Sequence, residues 1–389
     1  MAEKTELAIV GQGLCGTFLS LELERAGISH IVIDEQRPFS ASRAAAGLIN
    51  PVTGRRIVTT WMIDELLPFA VDAYERLQGL FGSSFFEPAT VTDFFPTAQM
   101  RLAFLRRLEE DGAYLRLPED DHAWDSVFYS ELGYGVIDPC WLVDVPGLLD
   151  AARQRMVARG ILREERFEVG ELVVGGAPLP MGTAAVDAAG AGASMKPVPS
   201  RGAGPGPVRW REIEAERIVF CDGVESFSNP YFSRLPFAPN KGEVLIVEID
   251  GLADAARAGG GTVFKKGLSI VPWREGLYWV GSSYEWSFEH GEPTEGFRLR
   301  TEAALREWLK LPFRTVEHLA AVRPATLERR PFVGFHPLYP AVGILNGMGT
   351  KGCSLAPYFA RQLVRLIAAG EAILPEADVR RFSKVLGKK

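Results

Sequence analysis

The apolar positions of the chain fall into short blocks and helical stripes. Residues 7–10, LAIV, form an uninterrupted aliphatic block that predicts a strand. Leu14 to Arg25 repeats apolar positions at helical spacing, and Gly27 follows where a helix would stop. HIVID, residues 30–34, predicts a second strand, so residues 7–34 read as strand, turn, helix, strand. Residues 62–81, 100–111 and Pro139 to Gly160 predict helices, and strands are expected near 166–174. Further on, ERIVF, GEVLIVEI, LSIVPW and LYWVG are separated by turns and predict an antiparallel sheet, with a helix near 298–310 among them. Residues 175–207 are rich in Gly, Pro and Ala and hold too few large apolar residues for a core. They read as a long surface loop or flexible insertion, ahead of a partner-binding arm.

Two glycine-rich turns stand out against this pattern. In the first, Gly11, Gly13 and Gly16 make GxGxxG directly after a strand and directly before a helix. The first glycine permits a tight turn, the second lets a pyrophosphate approach the backbone, and the third lets helix and strand pack closely. Leu14 and Cys15 belong to the same turn, and the helix start offers N–H groups to the anion. Asp34 ends the second strand 23 residues after Gly11, a spacing suited to binding ribose hydroxyls, with Glu35 as the second choice. An acid there disfavours a phosphorylated ribose. A glycine turn without ligand is the competing reading, and the motif by itself leaves NAD and FAD both open. The second turn, NGMGTKGCSLAPYFARQLVRLI, begins more than three hundred residues later and again runs into a helix.

Composition narrows the classes. The 389 residues suffice for two domains, and 47% apolar with 24% charged residues is ordinary for a soluble globular protein. A net charge of −6 argues against a protein whose main task is gripping nucleic-acid backbones. Four cysteines and five histidines show no metal-ligand spacing, so no metal site is expected and reduced thiols in a cytoplasm are the simplest reading. No leader and no membrane-spanning apolar run are seen, so a cytoplasmic location is expected.

Four further stretches carry a resemblance. SRAAAGLINP, residues 42–51, is similar to the small-residue loop after the second strand of D-amino-acid-oxidase-type flavoenzymes. IVFCDGVES, 218–226, resembles that family's strand-then-glycine stretch, VRPATLERRPFVG, 322–334, its RPxxxDxxPxxG motif, and NGMGTKGCSLAPYFARQL its C-terminal helix start. The matches run in order from Gly11 to Leu363 and look most like the glycine oxidase and sarcosine oxidase group. The resemblance implies an α/β fold: a Rossmann-type FAD-binding domain with an inserted, mostly antiparallel substrate domain. The expected division is 1–75, 131–235 and 330–389 for FAD, and 76–130 with 236–329 for substrate. It also implies a reason for two turns, the first holding the pyrophosphate and the second facing the flavin, where a helix N-terminus stabilises developing negative charge. The implied FAD contacts are Gly11, Gly13, Leu14, Cys15, Gly16, Asp34, Glu35, Ser42, Arg43, Ala46, Gly47, Leu48, Val169, Cys221, Asp222, Gly223, Arg323, Gly347, Gly349, Thr350, Lys351 and Gly352. In the second turn the contacts are expected largely through backbone N–H groups.

The departures are specific. Glu328 stands where the family has Asp. The 322–332 stretch lacks the cysteine through which sarcosine oxidases tether flavin, so FAD is expected to be non-covalent, with Cys353 a packed small residue. Asp222 replaces a small residue, and the sequence supplies no account of it.

The activity implied is oxidation of the C–N bond of a small amino acid or N-substituted glycine by hydride transfer to flavin. No histidine-centred triad is visible, nor does that chemistry need one. Arg323 takes the position of the family's carboxylate-binding arginine, whose fork suits a carboxylate. Tyr284, in GLYWVGSSYEW, is a candidate to cover flavin or bond substrate. Lys241, Trp61, Arg55 and Arg56 are weaker cavity candidates. Other readings are a flavin-dependent tRNA-modifying oxidoreductase acting on a carboxymethylaminomethyl group, a non-catalytic flavin-binding protein, and an NAD-dependent dehydrogenase. The expected partner is a small amine or amino acid rather than nucleic acid. The motifs leave the substrate, its chirality, the electron acceptor and the oligomeric state open.

Overall fold

The computed structural model describes residues 2–37, 39–54, 56–175, 177–178, 206–259, 262–274 and 276–387. Arg55 and nearly all of the expected 175–207 loop lie outside them. The chain divides into two units. The first contains residues 1–43, 149–240 and 322–389, the second 44–148 and 241–321. This differs from the division expected from sequence. Residues 44–75 and 131–148 cluster with the second unit, because the strand Tyr134–Val143 pairs along its length with Phe86–Phe94 and also with Leu48–Ile49. At the other edges, 236–240 and 322–329 join the first unit.

The first unit is built on a nine-stranded sheet. Its centre is parallel: Glu3–Val10 lies between Ile213–Phe220 and His30–Ile33, and Leu162–Arg163 continues the order. Val342–Asn346 adds parallel to the far end of Ile213–Phe220. A parallel sheet of this kind is buried on both faces, which is why LAIV and HIVI carry no polar alternation. Ile33, Trp210, Phe220, Phe232, Phe332 and Val342 form the core on one side. Helices Leu14–Ala26 and Gly352–Ala369 pack against each other. Gly27, in the left-handed region at φ 71°, closes the first helix where the sequence placed the stop.

His336 is buried in this unit, and its Nδ1 accepts the Leu338 N–H at 3.1 Å. Burial pushes its pKa from 6.5 down to about 4. The unfolded chain therefore takes up a proton between these values while the native state resists it, so this group's contribution to stability is complete above pH 6.5 and is lost as the pH falls towards 4. Asp222, raised by burial to about 6, acts in the opposite sense over part of that window. The comparison is therefore with His336→Asn, which keeps an acceptor and removes the titration. Urea midpoints should fall less for this variant than for the wild type between pH 6.5 and 4, and parallel slopes would refute the assignment.

The second unit holds the other nine-stranded sheet, in which Phe86–Phe94 pairs antiparallel with Tyr134–Val143 and parallel with Val263–Lys266. Three of the four strands predicted for the antiparallel sheet appear here as Asn240–Ile249, Leu268–Arg274 and Leu277–Gly281. The fourth, ERIVF, is instead part of Ile213–Phe220 in the parallel centre of the first unit's sheet, where it pairs with Glu3–Val10. The predicted helices appear as Ile63–Phe81, Ala98–Glu110 and Glu295–Trp308. The helix expected from Pro139 is corrected as well. Of the helix expected from Pro139, the first residues continue the strand Tyr134–Val143, and the helix is Val145–Ala158. The apolar run CWLV is used by the sheet, while Pro146 falls in the first helical turn, where its missing N–H costs nothing. Phe94, Phe128, Trp124, Phe264 and Trp308 pack as an aromatic core.

Within this unit Glu243 is fully buried. It accepts hydrogen bonds from Thr294 N at 2.6 Å and Thr294 Oγ1 at 2.9 Å, and its carboxylate pairs with Lys241 Nζ at 3.1 Å. Burial raises the Glu243 pKa, but these bonds outweigh it and leave the group below its usual range. Thr294 also caps the helix Glu295–Trp308. Thr294→Ala should lower stability by about 1–3 kcal/mol in urea unfolding, since it removes a cap and a donor to a buried carboxylate. An unchanged midpoint would contradict this.

Candidate functional site

The first glycine turn lies in the first unit, where three strands end side by side. Gly11 has φ +96°, a region open to glycine, and its N–H donates to Ile33 O at 2.9 Å. A Cβ there would lie 2.6 Å from Cys221 O and 3.2 Å from the Asp222 Cα, so the turn rests on the end of Ile213–Phe220. A Cβ on Gly16 would fall 1.8 Å from Gly11 O. The helix Leu14–Ala26 starts at Gly13 without a side-chain cap and has no acid in its first turn. Helix geometry leaves the first N–H groups without intrahelical partners. Ser42 Oγ accepts that of Leu14 at 3.2 Å and sits 3.0 Å from a Cβ built on Gly13. A small, uncapped, acid-free helix start of this kind suits an anion.

Asp34 faces this turn. Its Oδ2 accepts the Gln12 N–H at 2.8 Å, and its Oδ1 accepts Gln36 N and Arg153 Nη1, each at 2.8 Å. A carboxylate oxygen has two lone-pair directions, so Oδ1 is filled and Oδ2 keeps one for a hydroxyl. Arg153 is 5% exposed, and it also bonds Glu164 and Gln12 Oε1. Sequence reasoning did not find Arg153. Its one local signal is a charged residue on the inward face of the helix Val145–Ala158. Glu35 is held by Arg37, which also pairs with Glu225. Arg43 pairs with Asp150 at 2.7 Å. Val169 lies in a short turn against the core of this unit. Burial pushes the Cys15 thiol up to about 12 and raises that of Cys221, so both are neutral.

The second turn belongs to the same unit. Gly347 has φ +81°, and a Cβ on it would meet Thr326 Cγ2 at 2.7 Å. The helix Gly352–Ala369 again starts with no side-chain cap and no acid in its first turn. Several N–H groups of this turn already have partners within the protein. Gly347 N–H is spent on Asn346 Oδ1 at 2.8 Å, Lys351 N–H on Met348 O at 3.0 Å, and Gly349 N–H leans on Pro324 O at 3.4 Å. Among the described residues, no acceptor lies against the N–H of Thr350 or Gly352. A Cβ on Gly352 would lie 3.1 Å from Leu14 Cδ1, so the two helix starts are adjacent. Cys353 is buried within the helix.

Asp222 links the two turns. Its Oδ1 accepts the Ser226 hydroxyl, and Asn346 Nδ2 donates to Ser226 Oγ at 2.9 Å and Gly223 O at 2.8 Å. Arg323 ends the strand Phe313–Arg323, and its Nη1 donates to Oδ1 of the fully buried Asn240 at 2.6 Å.

The remaining candidates lie in the second unit. Ala46 lines a surface cavity with Phe85, Val143 and Trp273. Gly47 packs on Val143, where a Cβ would fall 1.9 Å from the Val143 O, and Leu48 pairs with Leu142. The Val143 contact accounts for Gly47 by packing within that unit. Tyr284 is 48% exposed and meets Trp286 edge-on. Lys241 is tied to Glu243, Arg56 is exposed and Trp61 half-buried. Among the described residues no cluster of metal-ligating side chains is found, and no helix is long and apolar enough to cross a membrane.

Comparisons with known proteins agree with this arrangement. A family model described as FAD dependent oxidoreductase matches residues 6–366. A curated glycine oxidase of Pseudomonas aeruginosa is 28% identical over 170 residues, 43% of this chain and 45% of that protein, so the match spans less than half of the relative's length. Among solved structures, glycine oxidase from Geobacillus kaustophilus is similar with a TM-score of 0.73 at 18% identity, covering 98% of each chain. Iminodiacetate oxidase from Chelativorans sp. BNC1 is similar with a TM-score of 0.69 at 18% identity, covering 95% of this chain and 97% of that one. At these identities the structures speak for the fold. With a family match over nearly all of its length and two glycine turns at adjacent helix starts, the chain belongs to the FAD-dependent oxidoreductases of the D-amino-acid oxidase type.

Proposed function

We propose that the protein holds FAD non-covalently and oxidises the C–N bond of a small amino acid or N-substituted glycine. The observation that carries this is the pair of uncapped, acid-free helix starts on adjacent glycine turns, with an acid-bearing strand end beside the first. FAD supplies the electron pair sink for the hydride when it is bound. The first helix start at Gly13 takes the pyrophosphate, and Asp34 Oδ2 has an acceptor direction left for a ribose hydroxyl. Thr350 and Gly352 offer N–H groups at the second helix start, where they favour negative charge. No cysteine occurs in residues 322–332, and Cys353 is only 7% exposed, which supports non-covalent binding.

Arg323 orients the substrate. Its guanidinium donates to Asn240, and the planar fork of a guanidinium matches a carboxylate better than an ammonium does. The amine must be unprotonated for hydride transfer, and solvent can take that proton. Glycine and iminodiacetate, the compounds in the names of the similar proteins, both carry a carboxylate on the carbon next to nitrogen, and this supports the substrate class.

The test is an anaerobic visible spectrum during addition of glycine, sarcosine, iminodiacetate, D-amino acids and proline. Bleaching of a yellow protein by one of them is the expected result, and readmitted air then separates an oxidase from a dehydrogenase. A yellow protein bleached by none would overturn the substrate class. A colourless protein that FAD does not reconstitute would overturn the cofactor assignment.

A further inference from the structure

We propose that Asp222 is a positioning residue for the second glycine turn, its carboxylate acting through Ser226 and Asn346 to set the backbone of Gly347. The proposal rests on the assignment of both turns to FAD.

A carboxylate is an adverse choice at this place. Its Cα lies 3.2 Å from a Cβ built on Gly11, so it stands beside a turn that suits an anion. A group that disfavours the ligand needs a compensating role, and the hydrogen bonds supply one. Ser226 is fully buried, Asn346 3% exposed and Asn229 4% exposed, and all three converge on Asp222. Ser226 has one proton and gives it to Asp222 Oδ1, which leaves its lone pairs to accept Asn346 Nδ2 at 2.9 Å. The second proton of that amide goes to Gly223 O at 2.8 Å. With both amide protons placed, Asn346 Oδ1 points one way, and it accepts the Gly347 N–H at 2.8 Å. The chain of direction runs from Asp222 to Ser226, to Asn346, to the turn. Bonds from Asn229 at 3.5 Å and Asn346 at 3.4 Å are longer and secondary. Without the carboxylate the Ser226 proton has no such acceptor, the amide loses its fixed orientation, and Gly347 loses its fixed partner. The backbone of Asp222 supports the first turn, whereas its side chain acts on the second, so the two turns can be separated by experiment.

The experiment measures equilibrium affinity of the apoprotein for FAD and, separately, for ADP, which carries only the pyrophosphate and adenosine half. Asp222→Ala should bind FAD at least about tenfold more weakly than the wild type, with unchanged affinity for ADP. Asp222→Asn keeps an acceptor for Ser226 and should recover most of the loss. Wild-type FAD affinity in Asp222→Ala overturns the proposal, as does an equal loss for ADP, or a loss that Asn does not recover. If Asp222→Ala fails to fold, Ser226→Ala takes its place, with FAD affinity expected to fall about threefold; unchanged affinity there overturns the proposal. A wild-type apoprotein that takes up neither FAD nor ADP refutes the assignment of the turns, which is a different failure from that of Asp222.

Discussion

Gly16→Ala should yield a protein that no longer retains FAD. The added Cβ would fall 1.8 Å from the carbonyl oxygen of Gly11. That carbonyl has little room to move, since Gly11 N–H is tied to Ile33 O at 2.9 Å and the residue rests against the Cys221 carbonyl. Relief must come from the start of the helix, which shifts away from the turn. Overpacking of this kind costs about 1–3 kcal/mol in a core that can adjust. Here the displaced elements are the helix N–H groups that meet the pyrophosphate, so affinity falls with alignment as well as with strain. A loss of about a hundredfold or more in FAD affinity is the expected result. The helix itself should persist, since Leu14, Phe18, Leu19 and Leu23 remain buried along it. Circular dichroism of the apoprotein beside a flavin-binding titration checks both statements. Retention of FAD in a folded Gly16→Ala protein would remove the first turn from the cofactor site.

The second large effect is expected at Arg323. Its guanidinium meets the fully buried Asn240 at 2.6 Å, which holds the fork in one orientation. Truncating one partner of a close charge pair costs about 2–5 kcal/mol. For Arg323→Ala the loss in kcat/KM towards a carboxylate-bearing amine should therefore be at least about thirtyfold, carried mainly by KM. Arg323→Lys should recover little, because an ammonium cannot offer two parallel donors to a carboxylate. An amine lacking the carboxylate should be oxidised alike by wild type and variant. FAD content is measured alongside, since Arg323 was also a candidate cofactor contact. A lysine variant with unchanged KM would assign the residue to bonding Asn240 and no more.

The first glycine turn was readable at once because its whole logic is local: a strand, three glycines at fixed spacing, a helix and an acid lie within 28 residues. The strands and helices with clear periodicity also appeared where expected, within a few residues at their ends. The helix expected from Pro139 failed for a definite reason. CWLV is apolar enough for either element, and what decides is the partner strand Phe86–Phe94, about fifty residues earlier. The position of the unit boundary, between Arg43 and Ala44, was equally hidden. The small residues of SRAAAGLINP look like a cofactor loop, yet Gly47 is small because the Val143 backbone lies against it.

Charge and hydrogen-bond partners were the least legible. Asp34 was named for its spacing, but nothing near it in sequence announces Arg153, which is 119 residues away. Asp222 had no account until Asn346, 124 residues on, was seen beside it. Nor did the sequence announce that Asn346 Oδ1 accepts the Gly347 N–H. Side-chain periodicity and glycine spacing are properties of a short stretch of chain, so they survive in the sequence and mark a dinucleotide-type turn between strand and helix. Which donor meets which acceptor depends on distances of about 3 Å between stretches brought together by sheet pairing, and no local pattern encodes those.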